Sequence, residues 1–306
     1  MLDAFGGQRG NTQLARLFLS LIAAVLFLGM STQVDAQEAS EADVAHTEIF
    51  SEEVFPSASK CAACHEEIYK EWSSSNHAYA SISPMFHKFE QAITNLTQGT
   101  IGTFCVRCHQ SVGTTLGESR AAPLWERSQV SREGITCITC HRVKDTYAKA
   151  NGERRIEPGK IYSPVYTNSD GEGLKKVLED KSYYRVATNE EERGNQIHTE
   201  VVKFTQISKS EFCVSCHQVA VNLGIKLEVV WDQYRDSPAN AKGITCQECH
   251  MGKDPGLPNG YARGPAAVVT GTAIHTGRAR HKHPFSVPAD PLAHMGLCPP
   301  TAPRAI

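Results

Sequence analysis

One short pattern, Cys-x-x-Cys-His, recurs five times in this chain and restricts its possible folds more than any other feature. Two thiols three positions apart can add to the two vinyl groups of one haem, and the adjacent histidine then ligates the iron. A zinc ribbon built from Cys-x-x-Cys knuckles would use the cysteines but would not explain the histidine after each pair. The pattern therefore predicts five covalently bound haem c groups.

Each motif supplies two attachment cysteines and one proximal iron ligand. The predicted thioether cysteines are Cys61, Cys64, Cys105, Cys108, Cys137, Cys140, Cys213, Cys216, Cys246 and Cys249. The predicted proximal ligands are His65, His109, His141, His217 and His250. Cys298 belongs to no motif, and the sequence assigns it no role.

Four of the motifs form an internal duplication. Residues 104–141 run from Phe-Cys-Val-Arg-Cys-His-Gln to Gly-Ile-Thr-Cys-Ile-Thr-Cys-His, and residues 212–250 repeat this arrangement. A tryptophan precedes the second motif of each copy, at Trp125 and Trp231. Haem attachment alone does not require these flanking residues, so we interpret the segments as two copies of one di-haem unit. The motif at residues 61–65 precedes both copies.

The length of the chain limits what else can form its interior. It has 306 residues, of which 41% are hydrophobic. With five haems this leaves roughly 50 to 55 residues for each, too few for a large independent protein core. We therefore expect the porphyrins to fill the core of a single pentahaem domain over residues 58–306. Helical spacing of Ile68, Tyr69 and Trp72 predicts a helix after the first motif.

The N-terminal region has the features of an export signal. Residues 1–36 combine Arg9 and Arg16 with a short apolar run, and small residues precede Gln37. We expect cleavage and a periplasmic or otherwise exported bacterial protein, with an uncleaved membrane anchor as the alternative. Residues 37–57 form an acidic leader. The net charge of −2 gives no basic excess of the kind that nucleic-acid binding requires.

A low-spin haem iron takes a second axial ligand, so five more ligands are needed. Eight histidines lie outside the motifs, and their number favours histidine over the rival methionines. The candidates favoured as distal ligands are His77, His87, His198, His283 and His294. The other three are His46, His275 and His281. Four of the eight lie in a distal-ligand tail, residues 270–297.

The motifs and their flanking residues resemble the multihaem cytochromes related to cytochrome c-554. The similarity rests on the five motifs, on Trp72-x-x-Ser75-x-His77-Ala78, and on the duplicated units, and it covers roughly residues 58–250. It implies a mainly α fold with little or no sheet, haems in stacked and perpendicular pairs, and periplasmic electron transfer. The chain lacks the Cys-x-x-Cys-Lys motif of the related pentahaem nitrite reductases.

These observations favour an exported carrier that moves electrons between redox partner proteins. We expect a carrier rather than a catalyst, because no cluster of residues identifies a proton donor or a substrate pocket. The first alternative is an oxidoreductase that acts on nitrite, nitric oxide or hydroxylamine at a five-coordinate haem. The second is a subunit of an extracellular or outer-membrane electron conduit. The donor and acceptor are not specified by the sequence.

Overall fold

The computed structural model describes residues 54–145, 151–152, 154–220, 226–253, 260–275, 278–280 and 282–284. They all belong to one compact unit, Ala45–Ile306. The predicted signal, most of the acidic leader, His46, His281, His294 and Cys298 lie outside the described residues. Within the described residues, no helix is long and apolar enough to span a membrane.

The described part of the chain is mainly helical, as expected, and most of its helices are short. The helices up to the third motif are α1 Ala58–Ala62, α2 Glu66–Ser73, α3 Asn76–Tyr79, α4 Pro84–Leu96, α5 Val106–His109, α6 Ser111–Leu116, α7 Gln129–Arg132 and α8 Cys137–His141. Those that follow are α9 Glu172–Glu179, α10 Lys181–Tyr184, α11 Val214–His217, α12 Val230–Arg235, α13 Pro238–Ala241 and α14 Cys246–His250. Three 3₁₀ turns cover Leu124–Glu126, Thr205–Ser208 and Ser210–Cys213.

The strands pair only two at a time. They are β1 Val165–Thr167, β2 Val186–Ala187, β3 Asn195–Gln196, β4 Val201–Lys203, β5 Val219–Ala220, β6 Lys226–Glu228, β7 Ala262–Gly264, β8 Ala267–Val269, β9 Thr272–Ile274 and β10 Arg278–Arg280. β1 pairs with β4 and β2 with β3 in parallel, whereas β5–β6, β7–β10 and β8–β9 are antiparallel. β1 packs against α8, the helix of the third motif, and β5 lies just after α11, the helix of the fourth.

Local sequence explains where several helices begin and end. α2 buries Trp72 and ends at Ser73, because the serines that follow compete for backbone hydrogen bonds. The predicted helix after the first motif is confirmed. α4 begins with Pro84 after the N-cap Ser83, whose hydroxyl accepts a hydrogen bond from the Phe86 amide.

The two duplicated units share their local structure before the second motif of each copy. α7 follows the N-cap Ser128, and α13 follows the N-cap Ser237. A left-handed glycine comes next in both, with φ of 68° at Gly134 and 70° at Gly243. The motif helices α8 and α14 then begin after a threonine N-cap. This agreement in backbone conformation supports an origin by duplication.

Buried apolar side chains form small, separate clusters. The largest contains Phe55, Val112, Val130, Ile138, Val143, Ile156 and Phe212. The second contains Val177, Tyr184, Val186, Ile197, Val269 and Ile274. The third contains Ala239, Ile244 and Cys249. Several large apolar side chains, including Met85, Phe89 and Trp125, are more than half exposed. Protein side chains alone do not build one continuous core from these residues.

Candidate haem sites

The motif cysteines lie in or beside short helices that end at or just before the motif histidine. α8 and α14 span whole motifs, and α5 and α11 begin directly after Cys105 and Cys213. Nine of the ten motif cysteines carry free thiols. The tenth, Cys249, is buried.

Three motif histidines are oriented by backbone carbonyls. Their Nδ1 contacts are His65 to Ala266 O at 2.8 Å, His109 to Ala80 O at 3.2 Å, and His141 to Tyr166 O at 3.0 Å. A carbonyl only accepts, so Nδ1 carries the proton and donates it. This fixes the tautomer that leaves Nε2 available to a metal.

His217 differs, because its Nδ1 contacts a carboxylate. Glu228 Oε1 in β6 lies 3.0 Å from His217 Nδ1. The hydrogen bond to Glu228 raises the pKa of His217. Burial instead lowers the pKa of His65, His109 and His141.

Three motif histidines each face a histidine from a distant part of the chain. The ring centroids are 6.5 Å apart for His65 and His198, 6.2 Å for His77 and His217, and 6.5 Å for His141 and His283. The interplanar angles of these pairs are 10°, 48° and 33°, respectively. Two imidazoles that bind one iron from opposite sides at about 2 Å place their centroids roughly 6 Å apart. The spacing therefore fits one iron between each pair.

The protonation state of the facing histidines also suits metal ligation. Burial lowers the pKa of His77 to about 3 and that of His198 to about 4. Both rings are therefore neutral near pH 7, as a ligand must be.

His109 has a different neighbour. The Phe86 ring stacks on it with centroids 4.1 Å apart and planes 9° from parallel, which is direct van der Waals contact. The ring centroid of His87, the next residue, lies 5.4 Å from that of Phe86, and His87 Nε2 is buried without a hydrogen-bond partner. Among the ring contacts of the described residues, none joins His87 to a motif histidine. Distal ligation by His87 stays a prediction.

The fifth motif histidine, His250, ends α14 and lies close enough to His77 to lower its pKa electrostatically. His294, one of the candidates for its distal ligand, lies outside the described residues. His275 follows β9, and its Nε2 is buried without a hydrogen-bond partner. A Cβ at Gly173 would come 2.2 Å from the His275 ring, so this glycine makes room for it.

Thiols of different motifs lie side by side. Cys61 and Cys137, Cys108 and Cys216, and Cys213 and Cys246 lie close enough for each pair to shift its thiol pKa values. Cys216 also interacts electrostatically with Cys140. The motif at 213–217 therefore neighbours three others. An apolar cleft lies between Cys213 and Cys246 and is also lined by Ser210, Val214, His217, Val230, Trp231 and Tyr234.

Arg154 connects the third and fourth motifs, although no sequence pattern singles it out. Its guanidinium donates to Thr139 O and Ser215 Oγ, each at 3.1 Å, and to Phe212 O. It also lies over the Phe212 ring, 4.3 Å from the centroid. The charged loop that contains Arg154 resembles an ordinary surface turn in the sequence. Only the fold reveals its contacts with both copies.

These features fit a chain that holds several haems: free thiol pairs, histidines with Nδ1 hydrogen-bonded, and facing rings separated by the width of an iron. Residues 60–142 match the model of the family described as cytochrome c554 and c-prime. This segment contains three of the five motifs, and over it the chain is similar to c-type cytochromes of that family.

Two further comparisons add less. Among curated proteins, no sequence matches this chain. A penta-heme cytochrome c552 from Thermochromatium tepidum is similar in structure, with 22% identity and a TM-score of 0.44. The match covers 75% of this chain and 56% of that one, so this chain spans little more than half the length of the solved structure. A likeness of this degree has no bearing on function.

Proposed function

We propose that this cytochrome is an exported pentahaem carrier that passes single electrons between redox partner proteins. The supporting observation is the set of three facing histidine pairs, His65–His198, His77–His217 and His141–His283. An iron with two histidine ligands has no position left for a substrate, so it can only exchange electrons. The haem supplies the redox chemistry, and the chain fixes the positions and environments of the haems.

The neighbouring thiols support a branched electron path. Contact between Cys61 and Cys137 brings the first and third motifs together. The motif at 213–217 meets the third, second and fifth motifs through Cys140, Cys108 and Cys246. Thioether bonds at these thiols would bring the edges of neighbouring porphyrins close together. The haem at 213–217 would then be the junction of the path.

The alternative of an oxidoreductase for a small nitrogen compound rests on the His109 site. There the ring contact is with Phe86 and not with a second histidine. An iron that lacks a distal ligand is open to nitrite, nitric oxide or hydroxylamine. Turnover requires in addition a proton donor and a positively charged pocket. We therefore keep the carrier as the leading function.

The haem count is the first test of the proposal. Pyridine haemochrome analysis and intact mass of the purified protein should give five haems per chain. A count of two or three would contradict the proposal. A count of five requires attachment at every motif, including the fifth.

A second test separates carrier from catalyst. Electron paramagnetic resonance of the oxidised protein should show low-spin haem from the three facing pairs. The same sample is assayed for turnover of nitrite and hydroxylamine. High-spin haem with sustained turnover would overturn the carrier, whereas high-spin haem without turnover would leave it standing.

Export is tested separately. The mature protein should begin near Gln37, which N-terminal sequencing or intact mass will show. Retention of Met1 would indicate an anchor instead. Size-exclusion chromatography tests the conduit alternative, which requires stacking with other cytochromes, whereas a free carrier elutes alone.

A further inference from the structure

The contact of Glu228 with His217 distinguishes one haem site from the others. Three motif histidines, His65, His109 and His141, point Nδ1 at a neutral backbone carbonyl. His217 Nδ1 lies 3.0 Å from a carboxylate oxygen of Glu228. The difference lies in the charge of the acceptor, since the distances are similar.

The fold directs this carboxylate to His217. β5 follows the motif helix directly, and the antiparallel β5–β6 pair places Glu228 opposite Val219. This pairing brings Glu228 beside His217, which lies two positions before Val219. In the described part of the chain, the ion pair of Glu228 is with His217, and no lysine or arginine pairs with it. Its charge is therefore not neutralised by a nearby cation.

A carboxylate acceptor makes an imidazole ligand more basic than a carbonyl acceptor does. A more basic ligand donates more electron density to the iron and stabilises the ferric state over the ferrous state. The protein controls haem potentials through the axial ligand and its hydrogen bonds. The residue that faces His217 is His77, and the other two pairs also have a histidine in this position. The distal ligand therefore does not offset the effect of the carboxylate on the potential.

We propose that Glu228 is a positioning and tuning residue that makes the haem of His217 the lowest in reduction potential of the three haems with facing histidine pairs. This inference rests on the proposed haem attachment at Cys213 and Cys216. It gives the junction of the path a specific property: an electron placed there passes readily to the haem of His141, its neighbour among the three. The haem at the junction therefore relays electrons and does not store them.

The test is a redox titration of the holoprotein carrying Glu228→Gln, followed by visible absorption and electron paramagnetic resonance. The amide oxygen of glutamine can still accept from Nδ1, so the change removes the charge and keeps the shape. We expect one midpoint potential to move upward while the others stay. The matched control is Glu190→Gln, which removes a carboxylate that pairs with Lys160 away from any motif histidine. A shift no larger than that of the control would overturn the proposal.

A second measurement does not depend on folding of the Glu228 variant. His77→Met, His198→Met and His283→Met each replace one facing ligand. Each should raise the reduction potential of one haem, which identifies that haem in the titration. The potential marked by His77→Met should be the lowest of the three in the unmodified protein, and any other order contradicts the proposal. Failure of the proposed function has a different signature, because the haem count would then be below five.

Discussion

The first motifs of the two duplicated units have the same sequence pattern but different surroundings. His109 donates to a backbone carbonyl, and its ring stacks on Phe86. His217 contacts a carboxylate, and its ring faces His77 across the width of an iron. Duplication copied the motif without copying the contacts of its histidine. Equivalent haems in the two units are therefore expected to differ in spin state and in potential.

The difference in ring contacts originates in residues outside the repeat. Phe86 and His77 both precede the first copy, and each meets a different copy. Residues outside a repeat can contact its two copies differently. A repeated haem unit can in this way supply one closed site and one with a different coordination.

The largest effect should come from removing a haem in each copy. The double substitutions Cys213→Ser with Cys216→Ser, and Cys105→Ser with Cys108→Ser, should each lower the haem count by one. The change in the second copy should destabilise the fold more, because the 213–217 motif neighbours three others. Haemochrome analysis and thermal unfolding measure the two quantities. Equal melting temperatures would remove the distinction between the copies.

Spin state should change next. His77→Ala opens the iron of His217, so a high-spin signal should appear in electron paramagnetic resonance at the expense of one low-spin signal. His87→Ala is the control, because His87 contacts Phe86 and not a motif histidine. A new high-spin signal in His87→Ala would show instead that His87 is a ligand, as the sequence predicts.

Arg154→Met should weaken the connection between the copies. The substitution removes hydrogen bonds to Thr139 O and Ser215 Oγ. Loss of such partly buried, charged donors should cost about 1–3 kcal/mol in the free energy of unfolding. The adjacent Arg155→Met is the control, because the Arg155 side chain is 75% exposed and its ion pair with Asp145 is long. That change should stay within about 0.5 kcal/mol. Denaturant titration of both variants measures the two losses in unfolding free energy. Equal losses would argue against a connection between the copies through Arg154.

The smallest effect concerns two equivalent glycines. Both have a left-handed φ, so alanine at Gly243, where a Cβ meets nothing within 4 Å, should cost about 1–2 kcal/mol. At Gly134 a Cβ would lie 2.4 Å from the His77 carbonyl oxygen. Gly134→Ala should therefore cost roughly 1 kcal/mol more and also broaden the low-spin signal of the His217 haem. Denaturant unfolding curves that coincide would contradict this difference.

The sequence predicted the features that depend on local spacing. The motifs, the duplication and the helix that buries Trp72 all follow from residues close together in the chain. His77 and His198 could be named as candidates because they are histidines outside the motifs in a chain that needs further iron ligands. Which motif each one faces could not be predicted, because His198 meets His65 only after the intervening chain has folded.

Other functional contacts left no sequence pattern at all. Glu228 and Arg154 are ordinary charged residues, and their roles depend on a two-residue strand and on a turn that brings distant helices together. Phe86 would be taken for a packing residue of α4. Its contact with His109 depends on how α4 crosses the first copy. Tertiary packing decides such contacts, and propensity does not.

The paired thiols also bear on how the cytochrome is made. Cys61 meets Cys137, Cys108 meets Cys216, and Cys213 meets Cys246. In each pair the partners belong to different motifs. If the chain reached this fold in an oxidising compartment before haem arrived, these partners would be poised to form disulfides and block attachment. Maturation therefore has to keep the thiols reduced and attach the haems before the motifs come together.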